Sequence, residues 1–146
     1  MVKPPITWVG NKERYASCII SIFPPELDQY GEPFSGSAAV LLALPPDPNR
    51  LDIYNDLDAD LVNFFSCVKE RTNVLMRELE FLPIQSRATF EYYRDFLMHK
   101  DVYYQNIAEE IKCLGDRSCF TEEQERELRP IFDERLRLFN VKRAAA

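Results

Sequence analysis

Apolar positions along the chain change spacing several times, and each change marks an element. Residues 3–8 hold two consecutive prolines and are extended; Gly10-Asn11 then turns the chain into a helix predicted over residues 12–22, with Tyr15, Cys18, Ile19 and Ile22 on its inner face. Phe23-Pro24-Pro25 ends that helix, and residues 27–32 read as a first strand. An apolar run from Ala38 to Leu44 is a helix that packs through Val40, Leu41 and Leu44 until the prolines of residues 45–48 stop it. Residues 51–54 form a second strand. The next helix turns Leu57, Leu61, Phe64, Phe65 and Val68 inward and carries Asp58 and Asp60 in its first turn, where they oppose the helix dipole.

From residue 72 onward the spacing is helical throughout. Residues 74–82 form one helix that Pro83 breaks, Phe90, Tyr93 and Leu97 mark a face within residues 86–98, and a further helix spans residues 102–114. Residues 115–118 are a turn, and Thr121 with Gln124 has the spacing of a capping box. The last helix carries Leu128, Ile131, Phe132, Leu136 and Phe139 on one face, with Pro130 predicted to kink or divide it. Strand, helix, strand, then helices: the class is α/β with a mainly helical second half.

Candidate chemistry lies between the first strand and the helix after it. In Tyr30-Gly31-Glu32-Pro33-Phe34-Ser35-Gly36-Ser37-Ala38-Ala39-Val40, small residues form a tight turn at a helix N-terminus. Main-chain N–H groups left free in such a turn attract ligand oxygens. Many α/β domains carry such a turn with no ligand on it, so the turn alone does not decide. The second strand ends in Asn55-Asp56, about 20 residues on, where dinucleotide-binding folds place a carboxylate for ribose hydroxyls.

Trp8-Val9-Gly10-Asn11-Lys12, Glu32-Pro33-Phe34-Ser35-Gly36-Ser37 and Asn55-Asp56 together resemble, in order and spacing, the opening motifs of Dam-type adenine-specific DNA methyltransferases. The resemblance covers residues 3–71. Asn11 stands where the family usually has glycine, and Ala38 where a further glycine is common. The resemblance implies a Rossmann-like fold binding S-adenosylmethionine, with methyl transfer from it to adenine N6 at specific sites in DNA. Trp8 and Lys12 would line the methionine end, Phe34, Ser35 and Gly36 would offer main-chain and ring contacts, and Asp56 would take the ribose hydroxyls. Residue type alone favours a core aromatic at Trp8 and a solvated first-turn lysine at Lys12; the resemblance reverses both readings.

The resemblance further divides the chain into the N-terminal part of a cofactor-binding methyltransferase domain, residues 1–71, and a helical segment, residues 72–146, leading toward a target-recognition region. The family's Asp-Pro-Pro-Tyr motif, which holds the extruded adenine, does not occur in the sequence, and the prolines at 24–25 and 45–46 read as helix terminators. The expectation is therefore a truncated, inactive portion of a bacterial or phage enzyme, of restriction-modification type or otherwise, whose complete form binds duplex DNA. Strands missing from its sheet would leave an edge prone to self-association.

Charge and composition sharpen this picture. A net charge of -6 is a poor footprint for a freestanding nucleic-acid binder, so most DNA contacts are expected elsewhere. With 46% hydrophobic residues, no apolar run of membrane-spanning length and no signal-peptide pattern, the reading is a globular cytoplasmic protein without membrane association. Four cysteines without Cys-x-x-Cys spacing and a single histidine, His99, argue against structural zinc, and no metal is expected. Cys18 and Cys67 read as reduced core residues, while Cys113 and Cys119 are candidates for a bridge that a reducing compartment disfavours. The rival reading is a non-catalytic helical interaction module carrying a degenerate nucleotide-binding fold. A nicotinamide-dependent oxidoreductase is disfavoured because Gly-x-Gly-x-x-Gly is absent.

Overall fold

The computed structural model describes residues 3–80 and 86–146, so the predicted helix break at Pro83 lies outside the described residues. Two compact units divide the chain, residues 1–62 and residues 63–146.

In the first unit a short 3-10 turn, Glu13–Tyr15, runs into α1 (Ala16–Ser21), followed by β1 (Gln29–Glu32), α2 (Ala39–Ala43), β2 (Leu51–Tyr54) and the opening turn of α3 (Ala59–Glu70). The two strands pair in parallel, from Gln29 opposite Leu51 to Glu32 opposite Tyr54, as a strand–helix–strand sequence requires. They are the only strands among the described residues, and the class is mixed α/β.

The phase of the first helix differs from the expectation. Its start is 3-10, with three residues per turn instead of 3.6, which rotates everything downstream. Ala16 is therefore the fully buried residue, while Tyr15, Cys18 and Ile22 are exposed and of the predicted face only Ile19 is partly covered. Cys18 is thus not a core residue. The buried centre of the unit is built of small side chains, Ala16, Ala38, Ala39 and Val40, which lets α1 and α2 lie close together. Leu57, expected on the inner face of α3, precedes that helix and is 91% exposed.

The second unit takes the rest of α3 with α4 (Thr72–Glu80), α5 (Arg87–Met98), α6 (Lys100–Leu114) and α7 (Glu122–Ala145). The long α7 is its spine, in contact with both α4 and α6. Cys67, Leu75 and Val141 form a buried cluster ringed by Phe64, Val68, Val74, Ala144 and Ala145. Phe96 joins α5 to its neighbours, with ring centroids 5.7 Å from Tyr103 and 5.6 Å from Phe139.

One of the caps in this unit was expected from the sequence, that of Thr121 and Gln124. The Ser86 hydroxyl accepts from the Thr89 amide, and Thr121 and Gln124 form the expected capping box. His99 ends α5 and caps α6, so α6 starts two residues earlier than its apolar pattern indicates. Pro130 does not divide the last helix: α7 runs unbroken through it. Ile131, next to that proline, is exposed, whereas Phe139 is buried.

Candidate functional site

Three loops converge at the carboxyl ends of β1 and β2: residues 8–12, residues 34–37 and the turn at Asn55-Asp56. Between them lies a cleft of about 350 Å³. Its position outside the ends of parallel strands is where open α/β sheets bind ligands. Trp8, Lys12, Phe34, Ser35, Gly36 and Asp56, the residues singled out from the sequence, all line it. Val9, Gly10, Asn11 and Ser37 line it as well, and none of these had been assigned a role. Their signal in the sequence was adjacency to the motif residues.

The loop after β1 is stitched to the loop after β2. The Ser35 amide donates to the Asn55 carbonyl at 3.0 Å, and the Asn55 amide donates to the Glu32 carbonyl at 3.2 Å, continuing the ladder past the strands. Asn55 Nδ2 donates to the Pro33 carbonyl at 2.8 Å. The Gly36 amide donates to Asp56 Oδ2 at 2.8 Å, and the Tyr54 hydroxyl donates to the Gly36 carbonyl at 2.8 Å. The amide of Ala38 donates to the Ser35 carbonyl at 2.9 Å.

This corrects the expectation of free donors in the turn. The amides of Ser35, Gly36 and Ala38 all have partners within the protein. The Asn55 carbonyl, the Asp56 carboxylate and the turn's own Ser35 carbonyl satisfy these groups before a ligand arrives. The carbonyls of Phe34, Ser35 and Gly36 likewise accept from Lys12, the Ala38 amide and the Tyr54 hydroxyl, and Phe34 adds an exposed ring.

Backbone conformation explains the small residues. Gly36 has φ +54°, and a Cβ there would lie 3.1 Å from Trp8 Cδ1, so the indole occupies the space that only glycine leaves. Gly10 has φ +80° and turns the chain between Trp8 and Lys12. Asn11, by contrast, is not in the left-handed region, and its Oδ1 accepts from the Glu13 amide at 2.8 Å. Asparagine in place of the family's glycine therefore adds a cap without strain. Ala38 does adopt the left-handed region, with φ 57° and ψ 29°, where the family often has glycine.

Two ionic groups face the cleft. Lys12 Nζ donates to the Phe34 carbonyl at 2.9 Å and lies 3.9 Å from Glu32 Oε2. Glu32 is 6% exposed; its Oε1 accepts from the Tyr30 hydroxyl at 2.5 Å. Asp56 accepts from the Asp58 amide at 3.0 Å and from the Gly36 amide, and these amides, helped by Leu57 and Lys12, hold its carboxyl below the usual aspartate range. Burial, then the charges of Asp56, Asp58 and Glu32, pushes the Tyr54 hydroxyl well above the usual tyrosine range. Asp58 caps α3 by accepting from the amides of Asp60 and Leu61. Of the three acids at residues 56, 58 and 60, only Asp56 lines the cleft.

A larger hollow of about 550 Å³ in the second unit is lined by residues of both charges that bond to one another, Arg117 and Arg129 each pairing with Glu125. No cluster of metal-ligating side chains occurs among the described residues, and none of the described helices is long and apolar enough to cross a membrane.

Comparison with known proteins gives one finding. The sequence model of the D12 class N6 adenine-specific DNA methyltransferase family matches residues 8–144, most of the chain. No curated protein and no solved structure matches it.

Proposed function

Since the chain belongs to the D12 class N6 adenine-specific DNA methyltransferase family, we propose that its first unit is the opening half of a Rossmann-like domain that binds S-adenosylmethionine in the cleft between residues 8–12, 34–37 and 56. The observation that carries this reading is the convergence of six residues, separated by up to 48 positions in the sequence (8 to 56), on that one cleft. Its volume is within the range of small-molecule sites.

The lining suits this cofactor. Trp8 and Phe34 offer aromatic faces, Lys12 is the cation for a carboxylate, and Asp56 is an acceptor for hydroxyl groups. Asp56 Oδ1 accepts from the Asp58 amide and Oδ2 from the Gly36 amide, and the carboxylate's remaining acceptor capacity serves a ribose hydroxyl. Bound there, the cofactor supplies an electrophilic methyl on sulfur, and the adenine N6 is the nucleophile. The chain's own part is to hold the donor: the stitched loops fix the walls, and Trp8 over Gly36 shields one side from water.

The sequence contains no Asp-Pro-Pro-Tyr to hold the base, so these 146 residues are expected to bind the cofactor without methylating DNA. Calorimetric titration with S-adenosylmethionine and with NAD tests the reading. Binding of the first but not the second, weakened by Asp56→Ala by about 1.5–3 kcal/mol and little by Asp60→Ala, is expected. Preferential binding of NAD, or equal affinity in the two variants, would overturn it.

A further inference from the structure

Among the described residues of the first unit, Glu32 is a buried carboxylate that is incompletely paired. Its side chain is 7% exposed, Oε1 takes the Tyr30 hydroxyl, and Oε2 has no hydrogen-bond donor, only Lys12 at 3.9 Å. A charge so placed is poorly screened by solvent and acts over several ångströms. Asp56 differs: amides compensate both of its oxygens. Lys12 is the sole basic residue of the cleft lining, and its ammonium is already directed to the Phe34 carbonyl. The lining itself holds one cation, Lys12, and one carboxylate, Asp56; Glu32 stands outside it, 3.9 Å from Lys12 Nζ, and the charges of Asp56, Asp58 and Glu32 all act on Tyr54, whose hydroxyl holds the cleft loop.

Resting on the reading of this cleft as the S-adenosylmethionine site, we infer that Glu32 sets the charge preference of the cleft, favouring the cationic methyl donor over its demethylated product. When the methyl leaves sulfur for nitrogen, the sulfur–carbon bond breaks with its electron pair kept by sulfur, and a sulfonium becomes a neutral thioether. The adenosine and amino-acid parts are the same in donor and product, so contacts to them cancel in the ratio of the two affinities. The ratio isolates the response of the site to one unit of positive charge. Glu32 acts on it through space and through Lys12, as a specificity-determining residue and not a catalytic one.

The test is titration of wild type, Glu32→Gln and Lys12→Met with S-adenosylmethionine, S-adenosylhomocysteine and an analogue bearing an ammonium in place of the sulfonium. Glu32→Gln should lower the donor-to-product affinity ratio by about threefold to tenfold, and Lys12→Met should raise it. The ammonium analogue should follow the donor. A ratio unchanged in Glu32→Gln, with both affinities falling together, would overturn the inference and leave the cleft assignment standing. If Glu32→Gln fails to fold by circular dichroism, an unchanged ratio in Lys12→Met overturns it instead. Wild type that binds neither ligand removes both readings.

Discussion

The two units hold themselves together by different means. In the first, polar groups 18 to 22 residues apart meet at fixed points: Lys12 on the Phe34 carbonyl, Gly36 on Asp56, Tyr54 on Gly36 and Asn55 on Pro33. In the second, helices meet through rings and aliphatic side chains, with ion pairs such as Arg71–Glu134 and Arg135–Glu110 at the margins. Hydrogen bonds are directional and fix where a backbone sits; apolar contacts are not, and tolerate sliding. The unit that has to present a cleft is the one built with directional bonds. Substitutions in it should alter binding more than stability, and those in the helical unit the reverse.

The largest effect on stability should come from Leu75→Ala. This side chain is 4% exposed within the Cys67–Leu75–Val141 cluster, and its truncation should cost about 2–5 kcal/mol in urea denaturation. Affinity for S-adenosylmethionine, measured below the transition, should be unchanged. A loss of less than about 1 kcal/mol would mean that the ion pairs, each worth ~1 kcal/mol or less, hold the helices after all.

Gly36→Ala is the counterpart in the first unit. The left-handed backbone costs an alanine about 1–2 kcal/mol, and its methyl meets the Trp8 ring. Here the larger change should be in ligand affinity, because the indole and the Phe34 loop must separate. Titration of the folded variant checks this, and wild-type affinity would show that Trp8 does not shape the cleft.

Acid should separate the units more gently. Asp56 has a folded-state pKa below its unfolded one, so its contribution is complete above the unfolded value of about 3.9 and disappears as pH falls through the folded value. Asp56→Asn should flatten the part of the acid limb below about pH 4, read by Trp8 fluorescence, the only tryptophan in the chain. An unaltered acid limb would show that the amides of Gly36 and Asp58 do not depend on the carboxylate charge.

Legibility in the sequence differed between the units in the same way. Apolar spacing gave α5, α6 and α7 with small differences at their starts and placed the start of α4 two residues late, and the Thr121–Gln124 cap was legible because these residues act on neighbours three residues away. In the first unit the strand positions were legible, and the six residues picked out through motifs came to one cleft. What was not legible was the use of each group. The Ser35 and Gly36 amides, read as free donors, find Asn55 and Asp56 across a pairing that no local pattern contains. Glu32, quoted within the motif, was given no role for a similar reason: nothing near it in the sequence shows that it is buried. The face of α1 was misplaced because apolar spacing assumes 3.6 residues per turn, and its first turn has three.

Ala38 offers the finest test of how much the first unit depends on backbone placement. It is the one non-glycine residue with positive φ among those described, and it is fully buried. Ala38→Gly relieves left-handed strain of about 1–2 kcal/mol. Against that, it removes a buried methyl worth about 0.8 kcal/mol and adds unfolded-chain freedom worth about 0.4–1 kcal/mol. The terms nearly cancel, so a net change within about 1 kcal/mol is expected in urea denaturation. A loss beyond about 2 kcal/mol would show that the methyl packs as a core group and that apolar contact matters here as it does in the helical unit. A gain of that size would show instead that the chain tolerates a strained alanine at the entrance to α2, and that glycine is the residue this turn is shaped for.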